Sequence, residues 1–348
     1  MITNSTRQRQ LRGHMPRRPS PRAACSAEHQ ARLATRLTPR DRWLAWMLWE
    51  HRVLTSHQIT ELAWPTLRAA NHRLQRLHAW SVLDRFQPFV TSGSAPHHYV
   101  LGPAGATVVA HQHGLDPKTL GYQRRQVLGI SSSLTLTHLL GVNGLFTGLI
   151  AASRATGASS RLVTWWSETR CAKVWGDIAR PDAYARWRHG ADEVEFFLEF
   201  DCGTEPLRTL AAKLLTYEKL AMATGIATPV LFWLPTLARE ASARRALTAT
   251  LAELERPDLV PVATSTHEVV PTLESHVGGA CWLPIPTATA PNTSRPGERM
   301  ELAALPTCWP LRPPSGAAGC DPGGVAVVGA PDPHPPWEGV AWHSRRPR

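Results

Sequence analysis

The chain has 348 residues, enough for two ordinary domains with separate cores. Its formal net charge of +11 suits a polyanionic partner such as nucleic acid. Six cysteines are widely scattered, with no pair at C-x-x-C spacing, which argues against a zinc site or a disulfide framework and for a reducing cytoplasm.

The first 42 residues hold ten arginines, from Arg7 to Arg42, against only Glu28 and Asp41. No apolar h-region follows them, so a secretory leader is not expected. Residues 1–37 read as a disordered basic arm that adds nonspecific affinity for DNA.

From Pro39 to Glu50, Trp43, Trp46 and Trp49 surround Leu44, Met47 and Leu48 in an aromatic-rich helix. Thr55-Ser56 begins a short helix carrying Ile59 and Leu62, and Trp64-Pro65-Thr66 breaks it. Leu67 to Trp80 forms a third helix, with Leu67, Ala70, Leu74 and Leu77 at helical spacing and Arg68, Asn71, His72, Arg73, Gln75 and Arg76 around them. The runs Val82–Phe86 and His98–Leu101, on either side of Ser92-Gly93-Ser94, form a hairpin. Three short helices and a hairpin predict a winged helix-turn-helix domain over 38–112, its third helix presenting those six polar residues to double-stranded DNA. The plain alternative is a small helical domain with a solvated basic face. His97 and His98 are adjacent, so on a strand they point to opposite faces and cannot share a metal ion beside Tyr99.

Residues 113–126 read as a linker. Val127 to Ser153 then lacks Asp, Glu, Lys and Arg altogether. By length it could span a membrane, but its serines, threonines, His138, Asn143 and four glycines fit a buried helix starting near Ser133, and no membrane partner is expected. After it come strands over Arg161–Trp166, Ala183–Trp187 and Val194–Asp201. A helix from about Glu205 to Ala223 has Thr204 as its N-cap. A strand over Pro229–Leu234, a helix over Ala238–Leu254 and a strand over Leu259–Ala263 complete residues 127–270. The order α-β-β-β-α-β-α-β predicts an α/β layer domain with a mixed sheet, α+β in the chain as a whole.

Within it, Arg180-Pro181-Asp182 opens one strand and Phe196-Phe197-Leu198-Glu199-Phe200-Asp201 ends the next. Alternation puts Glu199 and Asp201 on one side, beside Asp182 from the neighbouring strand. Three carboxylates so placed can hold Mg²⁺, a hard cation that polarises a phosphodiester and activates water. Lys213 and Tyr217, four apart on the following helix, share a face. The plain reading makes the acids strand-end residues and Lys213 a solvated lysine. No organic cofactor is expected.

This arrangement resembles the PD-(D/E)xK, or restriction-endonuclease-like, core. That core usually carries a lysine two residues after the glutamate, where this chain has Asp201. The chain has only four lysines among its 38 lysines and arginines, and Lys213 is the one placed to substitute. The resemblance thus implies Asp182, Glu199, Asp201 and Lys213 as catalytic residues, with the three acids as metal ligands.

Taken together, the N-terminal helices, the run from His138 to Asn143, Trp165-Trp166-Ser167-Glu168, Arg180-Pro181-Asp182, Glu199-Phe200-Asp201-Cys202-Gly203-Thr204-Glu205 and Lys213 with Tyr217 resemble the replication-relaxation family of bacterial plasmids and integrated elements. The resemblance covers roughly residues 38–270. It implies a role in plasmid replication or mobilisation, with DNA and other proteins of those processes as partners. Metal-dependent nicking of DNA is one function it allows. A noncatalytic initiator with a degenerate nuclease core is the second, and a winged-helix transcriptional regulator the third. From residue 271 onward the chain is rich in Pro and Gly and reads as a mostly disordered tail, in which Arg299 to Leu305 forms an exposed helical turn or two.

Overall fold

Thr38 opens the first long helix through a reciprocal cap. Its hydroxyl accepts from Asp41 N, while the Asp41 carboxylate accepts the Thr38 N–H. The computed structural model describes residues 18–91, 93–155, 159–270, 277–286, 297–309 and 328–336. The chain divides into two compact units: one is built from the described parts of Met1–Ser56, Trp64–Ser131 and Pro336–Arg348, the other from His57–Ala63 together with the described parts of Ser132–Pro335.

The described elements begin with α1 (Pro21–Ala24), α2 (Ala27–Ala34), α3 (Pro39–His51), β1 (Leu54–Thr55), α4 (Ser56–Ala63) and α5 (Leu67–Ala79). They continue with β2 (Leu83–Phe86), β3 (His98–Leu101), α6 (Pro103–Gln112) and α7 (Arg124–Gly129). Strands β1, β3 and β2 form an antiparallel sheet in that order, with Leu54 opposite Tyr99 and Leu83 opposite Leu101. Helix α6 approaches this sheet closely at Gly105, where a Cβ would stand 2.2 Å from the Val82 carbonyl oxygen. The expected helices and hairpin thus form, with bounds shifted by a residue or two.

Two expectations for this half are corrected. Residues 18–37 are not a disordered arm, because α1 and α2 carry Ala24 and Leu33 into the core. Arg18 pairs with Asp84, and His29 Nε2 lies 2.9 Å from the Trp80 carbonyl oxygen. Residues 1–17 lie outside the described residues. Nor is 113–126 a free linker. Tyr122 OH donates to the Leu101 carbonyl at 3.0 Å, and Arg124 Nε donates to Asp84 Oδ2 at 2.7 Å. A single buried aspartate, Asp84, therefore holds both the segment before and the segment after the three-helix region.

The second unit consists of α8 (Leu136–Ala155), β4 (Ser160–Ser167), α9 (Glu168–Trp175), β5 (Ala183–His189), β6 (Asp192–Phe200), α10 (Leu207–Thr224), β7 (Val230–Leu234), α11 (Leu237–Glu253), β8 (Val262–Thr266) and β9 (Leu283–Pro284), with part of α4. Its mixed sheet runs β4-β5-β6-β7-β8-β9. The pairs β4–β5 and β5–β6 are antiparallel, β6–β7 and β7–β8 parallel, and β8–β9 antiparallel. One face packs on α10 and α11 through Phe197, Val230, Phe232 and Val262. On the other face, Phe146 of α8 stacks on Trp165 and Phe196, with ring centroids 5.0 and 6.4 Å apart.

Helix α8 is, among the described residues, the helix long and apolar enough to cross a membrane by length and composition. Here it is a core helix. Its polar groups meet α4, where Gln58 Nε2 donates to the Leu140 carbonyl at 2.9 Å and Thr147 Oγ1 donates to Glu61 Oε2 at 2.8 Å. These contacts take His57–Ala63 out of the expected 38–112 domain and into the second unit.

Three further differences concern local chemistry. Helix α9 was not anticipated. Ser167 caps it, its hydroxyl accepting from Arg170 N, and eight residues are too few for a clear period. Helix α10 begins at Leu207 after Pro206, not at a Thr204 cap. The segment near Arg299 is not exposed: a 3₁₀ turn over Leu302–Cys308 buries Leu302 and Leu305, and Arg299 pairs with the buried Glu240. The rest of the expected tail, residues 271–276, 287–296, 310–327 and 337–348, lies outside the described residues.

Candidate active site

Strands β5 and β6 pair so that Ala183 faces Leu198, and one further step in this register sets Asp182 opposite Glu199. Asp182 N donates to the Leu198 carbonyl at 3.1 Å, which fixes the aspartate at the sheet end. Its Oδ2 accepts from Phe200 N at 2.7 Å and lies 3.0 Å from His138 Nε2. His138 comes from α8 and stands edge-on to the Phe200 ring. Helix and strand approach closely here because Gly141 has no side chain; a Cβ would lie 2.3 Å from Phe200 Cζ.

Glu199 is buried against α10. Its Oε2 accepts from Lys213 Nζ at 2.8 Å and its Oε1 accepts from Tyr217 OH. The expected shared face of Lys213 and Tyr217 therefore converges on one carboxylate. Lys213 also lies 3.2 Å from Glu205 Oε2. A run of aromatic rings, each pair 5.0–5.5 Å apart, leads from Trp166, stacked on Trp175, through an edge-on contact of Trp175 with Phe197, to Tyr217, stacked on Phe197. This aromatic wall holds the tyrosine, and through it Glu199, in one orientation.

Burial pushes the Glu199 carboxyl up, the charge of Asp182 pushes it further, and Lys213 and Tyr217 oppose both; it titrates at about 7. Burial alone would lower Lys213, but Glu199, Asp182 and Glu205 outweigh it and hold the ammonium above its usual value. His138 is likewise raised, since Asp182 and Glu168 overcome the effect of burial. Two donors on separate oxygens of Glu199 favour its charged form, so a Glu199–Lys213 ion pair is the resting state above about pH 7. The pair lines a cavity of about 300 Å³ together with Ile178, Ala179, Arg180 and Thr216.

Asp201 does not join this cluster. Its Oδ2 accepts from Arg239 Nε at 2.7 Å and its Oδ1 from Gly203 N at 2.7 Å. The strand ends at Phe200, so alternation no longer governs where Asp201 leads. Among the described residues no three His, Cys, Asp or Glu side chains gather as a metal-holding group. The expected three-carboxylate set thus reduces to Asp182 and Glu199, and Asp201 is a buried ion-pair partner. Arg239→Ala is expected to cost about 3–5 kcal/mol of stability by stranding that charge, read as a lower urea midpoint at unchanged slope.

The six residues expected to contact DNA all lie on α5, but not on one surface. Arg68, His72, Gln75 and Arg76 are exposed, at spacings of four, seven and eight that share a helix face. Asn71 is half-buried. Arg73 turns inward. Its Nε donates to Asp41 Oδ1 at 2.8 Å, an Nη donates to the Arg36 carbonyl at 2.9 Å, and the guanidinium lies over the Trp80 ring. The spacing of the residues on α5 gives no sign of this inward turn, because the partner Asp41 lies 32 residues away. Sequence reasoning also missed His138 as a partner of Asp182, since their separation of 44 residues leaves no periodic signal.

A family model described as Replication-relaxation matches residues 45–232, more than half of the chain. The chain belongs to the replication-relaxation family. The matched span includes His138, Asp182, Glu199, Lys213 and Tyr217 and ends before Arg239. Membership associates the chain with DNA and with plasmid replication and relaxation. No curated protein and no solved structure matches the chain.

Proposed function

We propose that this replication-relaxation protein binds plasmid DNA through its N-terminal helices and cuts one phosphodiester with Asp182, Glu199 and Lys213 in a Mg²⁺-dependent reaction. The observation that carries the reading is Lys213 Nζ, 2.8 Å from Glu199 at an open cavity, with Asp182 one register step across. Three antiparallel strands, a crossover helix and a parallel strand support reading the second unit as a restriction-endonuclease-like core. In that reading α10 supplies the lysine that position 201 lacks.

The donor set fits Mg²⁺. This ion keeps several waters and binds through one or two carboxylates plus substrate phosphate. Burial first, and the charge of Asp182 second, raise Glu199, and a cation shared by the two carboxylates would relieve the second of these. When bound, a divalent cation supplies Lewis-acid polarisation and an acidified water. Asp182 and Glu199 would hold it, with His138 and Phe200 N orienting Asp182 and Tyr217 orienting Glu199. Lys213 neutralises charge gathering on the phosphoryl oxygens. For DNA contact, α3 and α5 with the β1-β3-β2 sheet are read as the part of a winged helix-turn-helix that lies in the first unit, and the face of Arg68, His72, Gln75 and Arg76 as its recognition surface.

One observation favours a second reading, a noncatalytic DNA-binding scaffold. Both Glu199 oxygens already have protein donors, and Asp201 is committed to Arg239. Incubating the protein with supercoiled plasmid and Mg²⁺ separates the two. Conversion to open circles that EDTA stops supports the nuclease; intact supercoils with undiminished DNA binding support the scaffold.

A further inference from the structure

Arg180, two residues before Asp182, is exposed at the cavity that Glu199 and Lys213 line. Its Nε donates to the Gly176 carbonyl at 3.1 Å, which fixes the guanidinium plane at the cavity wall. Among the described residues this is its one hydrogen bond, and it forms no ion pair, although Asp177, Asp182 and Glu199 are near in sequence or space. A guanidinium has five N–H donors in a fixed fork, so four remain for a ligand. The backbone is preset as well: a residue before proline is held extended, Pro181 is buried, and Asp182 N is bonded to Leu198. Among the charged residues that line the cavity, Glu199 and Lys213 pair with one another, and Arg180 is the one without an ion-pair partner among the described residues. Gly176 and Ala179 also line this cavity, whose volume is about 300 Å³.

We infer that Arg180 grips a phosphodiester of the nucleic-acid strand lying across this cavity, with its Nη groups on the non-bridging oxygens. This rests on the proposed nuclease reading for the reaction that follows, but not for the contact itself. Arg180 positions the strand; it neither holds the cation nor moves a proton.

The test uses the full chain as wild type, Arg180→Ala, Arg180→Lys and, as a control, Arg245→Ala, an exposed arginine on α11 away from the cavity. Without divalent ions, binding of a fluorescent 30-base-pair duplex and of its single strand is followed against KCl by anisotropy. Losing one phosphate contact should lower the log–log slope by about 0.9 on duplex or about 0.7 on single strand, whichever the cavity takes, however many other contacts remain. Arg180→Lys should keep most of the slope, because the point charge persists, and Arg245→Ala should keep all of it. With Mg²⁺ and supercoiled plasmid, Arg180→Ala should raise KM about tenfold at unchanged Mg²⁺ affinity, as loss of a charged hydrogen bond predicts. Unchanged slopes on both nucleic acids in a folded Arg180→Ala would overturn the contact. A reduced slope without any cutting by wild type would leave the contact standing and remove the nuclease reading.

Discussion

Glu199→Gln and Asp182→Asn are each expected to leave the chain folded and to lower plasmid nicking by at least about a hundredfold, the scale at which loss of a cation's supporting ligands is felt. The same two variants should also lose a metal-dependent gain in stability. A ligand that binds only the folded state adds about 2.7 kcal/mol at a hundred times its Kd, so wild-type Tm should rise with Mg²⁺ while the two variants stay flat. Lys213→Ala separates the roles, because it keeps the carboxylates and removes the charge that faces the phosphoryl oxygens. Its Mg²⁺ shift should survive while turnover falls about 10²–10³-fold. Calorimetry without divalent-ion binding to wild type, with or without DNA, would exclude the metal-dependent mechanism.

The pH dependence has a definite sign. Folded Glu199 titrates at about 7, above the 4.5 of a free glutamate. Between these values the folded chain binds more protons than the unfolded chain. The Glu199 contribution to stability therefore falls as pH rises from about 4.5 to about 7 and is constant outside that window. Glu199→Gln should flatten this part of the stability curve. Cation affinity runs the other way, since the ion must displace the Glu199 proton, so nicking should rise with pH through the same window.

Local signals in the sequence carried far. Ala70, Leu74 and Leu77 marked one side of α5 through helical spacing, and Lys213 with Tyr217 shared a helix face through a spacing of four; both relations hold in the structure. The order of strands and long helices around Asp182 and Glu199 was readable because apolar runs alternate with helical periods, whereas the eight-residue α9 before Asp182 was too short to show a period. Long-range polar pairings were not readable. Nothing in the spacing of His138 and Asp182, of Asp201 and Arg239, or of Arg73 and Asp41 announces that they meet. Each is a single contact between distant elements, and its partner is chosen by how helices settle on the sheet or on one another. The composition of residues 18–37 misled for a related reason. Many arginines suggested a solvated arm, yet two short helices with a few buried side chains suffice once Asp84 offers Arg18 a partner.

The inward turn of Arg73 changes how the DNA surface should be probed. Arg68→Ala with Arg76→Ala removes two exposed charges from one face of α5 and leaves the Asp41 contact intact. If both arginines meet phosphates, the log–log salt slope should fall by about two units, and duplex affinity near 0.15 M salt should drop on the order of tenfold to a hundredfold. Unchanged slope and affinity in the folded double variant would remove α5 as the contact surface. Arg73→Ala should behave differently. It strands the buried Asp41 carboxylate, which also caps α3, so its primary effect is a loss of about 3–5 kcal/mol of stability. Asp41→Asn keeps the cap geometry while removing the stranded charge. Combining it with Arg73→Ala should therefore recover part of the lost stability, and the remaining difference in salt slope then reports whether Arg73 touches DNA at all. A slope equal to wild type in that pair would confine recognition to Arg68, His72, Gln75 and Arg76.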